Sequence, residues 1–209
     1  MGMLVSAHDI ADARSVLLDL LATVAYAYSP EQKFRLASGE VSSEYIDCKS
    51  ALSLPAALSA ASTLLLAKLR PEVEAVGGLT MGADPLAIGV SLASAGSARP
   101  RRWFSVRKES KDHGRKRLIE GVPADSRMRI AVFDDVVTTG GSTLDAIAKC
   151  QDAGHTVVQV LAIVDRESGG LDAIRARVGA SVPVEALVRL SEVHATAEAK
   201  RAHTSRHAG

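Results

Sequence analysis

The stretch Val157–Val164 is apolar at every position except Gln159. A strand wetted on one face alternates polar and apolar residues, so a run without alternation needs cover on both faces. Eight residues suit a strand rather than a helix. Shorter runs of the same kind lie at Ala75–Leu79, Trp103–Val106, Arg129–Phe133 and Val184–Val188. Helix patterns fall between them. One opens at Pro55 and runs to Leu69, with Pro71 behind it. Others span Pro85–Ala95 and Ser142–Ala153, the latter closed by Gly154, and a last one is capped by Ser168 and runs to Val178. Strands alternating with helices predict an α/β fold, a parallel sheet flanked by helices on both faces.

Residues 9–28 carry Val16, Leu17, Leu20, Leu21 and Val24 at helical spacing, and Pro30 closes that helix. Residues 34–49 alternate around Ser38-Gly39 and Ser42-Ser43, as a short hairpin does. The expected organisation is an N-terminal helix and hairpin over 1–50, an α/β core over 51–190 and a polar tail over 191–209, frayed from about residue 195. A chain of 209 residues buries a core of one-domain size. Its net charge of +1 supplies no field for nucleic acid or a membrane surface. No apolar run reaches the roughly 18 residues of a membrane span, and the N-terminus lacks the layout of a signal peptide. Cys48 and Cys150 have no metal-like spacing and read as reduced thiols of a cytoplasmic protein.

In such sheets ligands bind outside the carboxyl ends of the strands. That rule gathers Thr80–Asp84, Arg107–Gly114, Asp134–Ser142 and Asp165–Glu167 onto one rim. The third segment is the most specific. Strand Ile130–Phe133 runs into Asp134 and Asp135, then Val136, Val137, Thr138, Thr139, Gly140, Gly141 and Ser142 at a helix start. Backbone N–H groups of such a loop, with the helix N-terminus, hold phosphate. A capping box accounts for Ser142 and Asp145 but not for two carboxylates beside a cradle. The acidic pair suits sugar hydroxyls and a divalent cation. No Gly-Lys-Ser/Thr triplet marks a Walker loop. Arg107, Lys108, Lys111 and His113 would be a solvated charge run by themselves. Set on the same rim, they suit a diphosphate leaving group, and Gly114 suits a loop that opens and closes.

The string Asp134–Ser142 resembles the phosphoribosyl-diphosphate signature of the type I phosphoribosyltransferases. Three further segments resemble the orotate branch of that family. Residues 107–121, ending Leu118-Ile119-Glu120-Gly121, are similar to its mobile catalytic loop. Phe34-Arg35-Leu36-Ala37-Ser38-Gly39, with Ser42 and Tyr45-Ile46-Asp47, is similar to its base-binding hood. Asp165-Arg166-Glu167 is similar to its Asp-Arg pair. The resemblance covers roughly residues 34–167 in order. It implies the family's parallel sheet with a small N-terminal hood, and transfer of the phosphoribosyl group to orotate, giving orotidine 5-phosphate and diphosphate in UMP biosynthesis.

It also implies roles. Lys111, Asp134 and Asp135 would be catalytic. Arg107, Lys108, Lys111, His113 and the run Asp134, Asp135, Val136, Val137, Thr138, Thr139, Gly140, Gly141 and Ser142 would hold phosphoribosyl diphosphate. Thr138, Arg166, Tyr45 and Ile46 would meet orotate. Mg2+ would be held mainly by the substrate and reach Asp134 and Asp135 through water. A homodimer would carry loop 107–117 into the partner's site, with no nucleic-acid or membrane partner. An arginine after a strand is more often a surface ion-pair partner, but a guanidinium fork matches a carboxylate, which orotate carries and purine bases lack.

The chain departs from the family at Ala37, where many members carry lysine, and at Met81-Gly82, where many carry Tyr-Lys. Lys49 or Arg35 is expected to replace the lost cations. Two other readings are a phosphoribosyltransferase for another base and a phosphoribosyl-diphosphate sensor that binds nucleic acid. The basic clusters Arg99–Arg102 and Arg115–Arg117 are short and lack interleaved aromatics, against the latter.

Overall fold

The computed structural model describes residues 7–31, 34–35, 41–109, 118–123 and 126–207. Helix α1 (Ala7–Leu20) passes into a π-helical turn, Leu21–Ala25, and then into strand β1 (Tyr26–Tyr28). The helix expected over 9–28 therefore ends earlier. The ring residues Tyr26 and Tyr28 favour an extended chain and pair with β4 (Glu44–Ile46). Strands β2 (Phe34–Arg35) and β3 (Val41–Ser42) form the small hairpin. The expected hairpin over 34–49 is thus two separate pairings, and its end is a short helix, α2 (Cys48–Leu52), capped by the Asp47 carboxylate. The segment Leu36–Gly39, including Ala37, lies outside the described residues.

The core follows as α3 (Pro55–Lys68), β5 (Ala75–Leu79), α4 (Asp84–Ser94), β6 (Arg102–Val106), β7 (Ile119–Glu120), β8 (Arg129–Val137), α5 (Gly141–Asp152), β9 (Thr156–Asp165), α6 (Gly170–Val178), β10 (Val184–Arg189) and α7 (Leu190–His207). The sheet order is β10-β9-β8-β5-β6-β7, parallel except for the edge strand β7. The alternation of strands and helices predicted this sheet; β7 was hidden in a polar segment.

Successive residues on each central strand serve opposite faces. Val76, Ala131, Phe133, Leu161 and Ile163 pack under α1, α3, α4 and α7. Ala75, Ile130, Val132, Val160 and Ala162 pack under α5 and α6. Cys48 lies in the first layer and Cys150 in the second, so the sheet separates the two thiols. Burial pushes both thiols upward, Cys150 to about 12, and each stays protonated. The polar exception in β9 also has its reason: buried Gln159 accepts from the Arg70 N–H (2.9 Å) and donates to the Lys68 carbonyl (2.8 Å), closing the C-terminus of α3.

The expected frayed tail is instead helical. Val193 and Ala197 of α7 are buried in the first layer, and Arg14 and Asp19 of α1 meet Glu192 and Lys200 of α7 as ion pairs. A composition-based reading misses such a helix because only a narrow stripe of it is apolar. No described helix is long and apolar enough to cross a membrane.

Candidate active site

Strand β8 runs further than its apolar residues suggest. Asp134 and Asp135 lie inside it, not in the loop behind it, and the ladder with β9 continues to Val137. Strand alternation then sends the two carboxylates to opposite faces. Asp134 turns toward α5. Its Oδ2 accepts from the hydroxyls of Ser142 (2.8 Å) and Thr143 (2.6 Å), and its Oδ1 accepts from the Asp135 N–H. Asp135 turns toward the N-terminal segments. Its Oδ2 lies 3.4 Å from Lys49 Nζ, and Lys49 also pairs with Asp47 at 3.1 Å. The residues are 6 and 8 % exposed. Burial, with the neighbouring Asp135 charge, pushes the Asp134 carboxyl up to about 6 against the pull of the two hydroxyls.

The connection after β8 is Thr138–Gly140, so Val136 and Val137 belong to the strand ladder rather than to the cradle loop. Ser142 is not the cap of α5. Gly140 holds that position in the left-handed region (φ 82°) with no side-chain cap, and Asp145 pairs with Lys149 instead of closing a capping box. A helix starting this way leaves its first N–H groups free for an anion. Thr139, Gly141 and Ser142 are exposed at the rim. The turn is wedged against the start of α6: a Cβ on Gly140 would lie 2.9 Å from the Gly170 carbonyl. Gly169, also left-handed, caps α6, and Ser168 instead donates to the Arg166 carbonyl.

Three neighbours complete the rim. The loop from Thr80 to Ala83 closes on Asp135, and a Cβ at Gly82 would stand 2.4 Å from Asp135 Oδ1. Gly82 therefore has a packing reason to replace a larger residue. Lys49, one of the two expected replacement cations, is at the site; Arg35 is exposed on β2. At the end of β6, the N–H of Arg107 donates to Leu118 (2.8 Å), and Lys149 Nζ donates to the carbonyls of Arg107 (3.1 Å) and Lys108 (2.8 Å). Both ends of the charged loop are thereby fastened to the sheet and α5. Lys111, His113 and Gly114 lie outside the described residues.

At the end of β9, Arg166 reaches the hood. Its Nη2 donates to the Glu44 carbonyl (3.3 Å) and lies 3.5 Å from Ser42 Oγ, while its buried Nε has no partner among the described residues. The bonds Asp47 N–H to Ala25 and Ser29 N–H to Ser43 set the alternation of the β1–β4 pair. Ala27 and Tyr45 are then the hydrogen-bonded pair, and the backbone groups of Glu44 and Ile46 face away from β1. The Ile46 side chain is in the core, and the Tyr45 ring stacks on Phe34 at 5.6 Å. Sequence reasoning missed Glu44 as the partner of Arg166; a carbonyl acceptor leaves no trace in residue type.

No family model matches the chain. An orotate phosphoribosyltransferase of Thermosynechococcus vestitus is 42 % identical over 193 residues, covering 90 % of this chain and 96 % of that protein. The crystal structure of Mycobacterium tuberculosis orotate phosphoribosyltransferase with Fe(III) dicitrate superposes with a TM-score of 0.70 at 33 % identity, covering 87 % of this chain and 98 % of the other. The same enzyme in complex with 5-phospho-α-D-ribosyl 1-diphosphate superposes with a TM-score of 0.65 at 29 % identity, covering 87 and 92 %. On this similarity, over nearly the whole of both chains, the chain belongs to the orotate phosphoribosyltransferase family.

Proposed function

We propose that this protein transfers the phosphoribosyl group of 5-phosphoribosyl 1-diphosphate to orotate, releasing orotidine 5-phosphate and diphosphate, in the cytoplasm and as a step of UMP synthesis. The observation that carries the reading is the pairing on one rim of an open helix N-terminus with an arginine whose Nε has no partner among the described residues. The first suits a phosphate, the second a carboxylate.

The 5-phosphate lies on the N–H groups from Thr138 to Ser142. The acidic pair meets the ribose hydroxyls: Asp135, braced by Lys49, directly, and Asp134 from beneath the Ser142 and Thr143 hydroxyls. Orotate places its carboxylate on Arg166 and its polar ring edge against the backbone groups of Ile46, which face away from β1. As the bond from ribose C1 to diphosphate stretches, negative charge grows on the leaving oxygens. Arg107 and Lys108 stand at the root of the loop that brings Lys111 and His113 to that charge, and one such donor is commonly worth about 10²–10³ in turnover. N1 of orotate then attacks C1, and the closed loop keeps water from the activated sugar.

Among the described residues no group of three or more His, Cys, Asp or Glu side chains forms a metal cage. Asp134 spends its oxygens on protein donors. These carboxylates fit Mg2+ carried in on diphosphate and met through water. Bound there, Mg2+ would neutralise diphosphate charge. The same rim suits a homodimer that exchanges loops 107–117. Met81, Ile88, Leu92 and Trp103 support it as exposed apolar residues on and around α4.

Orotate consumption with phosphoribosyl diphosphate and Mg2+ tests the reading. Parent protein should turn over orotate and neither hypoxanthine nor xanthine, and Asp135→Asn should lose at least about 10²-fold. No turnover of orotate by the parent overturns the assignment, and turnover of a purine instead would move it to another base.

A further inference from the structure

Helix α7 grips Arg166 from two sides. On the chain side, the residue after Arg166 is Glu167, in the left-handed region at φ 59°, and its carboxylate accepts from the Ser191 N–H in the first turn of α7 (3.0 Å). On the hood side, the carbonyl that receives the Arg166 guanidinium belongs to Glu44. The Glu44 side chain is in turn held by Tyr26 and by His194 of α7. Tyr26 Oη lies 2.5 Å from Glu44 Oε1 and 2.6 Å from His194 Nδ1, and His194 Nδ1 lies 3.2 Å from Glu44 Oε1. The His194 ring stands edge-on to both Tyr26 and Tyr28, and its Nε2 is 3.4 Å from Glu198. Arg166 and His194 line one cleft of about 430 Å³ together with Tyr28, Glu44 and Leu190.

The proton inventory makes this a directed chain. Burial and the Glu44 carboxylate keep the Tyr26 hydroxyl protonated. Its single proton goes to Glu44, so the contact on its other side requires a hydrogen from His194 Nδ1. His194 thus donates to Tyr26, Tyr26 donates to Glu44, and the Glu44 backbone accepts from Arg166. Among the described residues none of the side-chain bonds of this relay goes to Thr138–Ser142; the Arg166 N–H donates to the Val137 carbonyl at the end of β8 (2.9 Å).

We propose that His194 is a positioning residue for the base: through Tyr26 and Glu44 it fixes the acceptor that orients the Arg166 guanidinium, so the C-terminal helix tunes affinity for orotate without touching it. This rests on the reading that Arg166 receives the orotate carboxylate. Removing the donor leaves Tyr26 without its second partner, loosens its hold on Glu44 and lets Arg166 turn toward solvent.

Steady-state kinetics on the full-length protein test this. His194→Ala should raise the KM for orotate about five- to tenfold and leave the KM for phosphoribosyl diphosphate unchanged. His194→Asn, whose amide can donate from the Nδ1 position, should restore most of the loss. Lys200→Ala cuts the ion pair between α7 and Asp19 of α1, away from the cluster, and should leave both KM values alone. Arg166→Ala should raise the orotate KM more than His194→Ala does, and the double variant should be no worse than Arg166→Ala. Should His194→Ala fail to fold, Tyr26→Phe deletes only the bridging hydroxyl and carries the same expectation. An unchanged orotate KM in His194→Ala beside a raised one in Arg166→Ala overturns the inference alone, as does an equal rise in both KM values. An unchanged orotate KM in Arg166→Ala overturns the reading beneath it.

Discussion

Asp134 and Asp135 are adjacent, identical in type and different in circumstance. Alternation along β8 puts the first under the hydroxyls of α5 and the second beside Lys49. The Asp134 carboxyl, pushed by burial from the ordinary carboxylate range up to about 6, has a pH signature. A carboxyl whose pKa is raised by folding adds stability below its unfolded pKa, and that contribution is lost as pH rises through the folded one. Between pH 4 and 7 the native state should lose on the order of 3 kcal/mol on this account. Asp134→Asn removes the titration, so its melting temperature should gain on the parent steadily across that window. Parallel curves for the two proteins from pH 4 to 7 would contradict the assignment. The acidic pair was legible as residue types. Its division between two faces was not, because two carboxylates are poor strand formers and only the hydroxyls and the ammonium supplied from elsewhere make their burial tolerable. Gln159 teaches the same thing: an oddity in an apolar run becomes a helix terminator once α3 lies against β9.

Among elements, the turn from β8 to α5 has the strand–loop–helix layout its residues predict, but a different internal construction. Ser142 and Asp145 satisfy the pattern of a capping box, yet Asp134 takes the serine hydroxyl and Lys149 takes the aspartate. A local motif is a statement about neighbours in sequence, and here stronger partners arrive from other elements. The cap is Gly140, which needs both its left-handed φ and its lack of Cβ against the Gly170 carbonyl. Gly140→Ala should therefore cost about 2 kcal/mol or more, from the left-handed backbone and the overlap together. It should also weaken phosphoribosyl diphosphate more than orotate. Chemical denaturation and the two KM values measure both effects; an alanine variant of parental stability would refute the wedge. The hood misled for a related reason. Its strands are two or three residues long, too short for periodicity to register, and the partner of β4 is β1, which the helical pattern of 9–28 concealed.

At the scale of the molecule, the cations proposed to meet diphosphate belong to the segment between Arg107 and Leu118, which are joined by an N–H to carbonyl bond. The proposed exchange of these loops between protomers makes each site a product of two chains. Mixing inactive Lys111→Ala with inactive Asp135→Asn should then restore about a quarter of parental activity, since half of randomly formed dimers are mixed and each has one intact site. Mixed dimers without activity would exclude shared sites. Before any folding, the residues already spelled out the α/β class, the order of the main parallel strands and their helices, and the end of the sheet where Thr80–Asp84, Asp134–Ser142 and Asp165–Glu167 gather. These follow from unbroken apolar runs and from the rule that ligands lie beyond the carboxyl ends of parallel strands. Long-range packing alone sets which face each carboxylate serves, brings Lys49 beside Asp135, puts the Glu44 carbonyl on Arg166, and makes a polar C-terminal segment a helix bracketing that arginine. The reason is physical: residue type and spacing encode burial and periodicity, whereas a hydrogen-bond partner brought in from a distant part of the chain, or a backbone carbonyl, has no signature until the chain is folded.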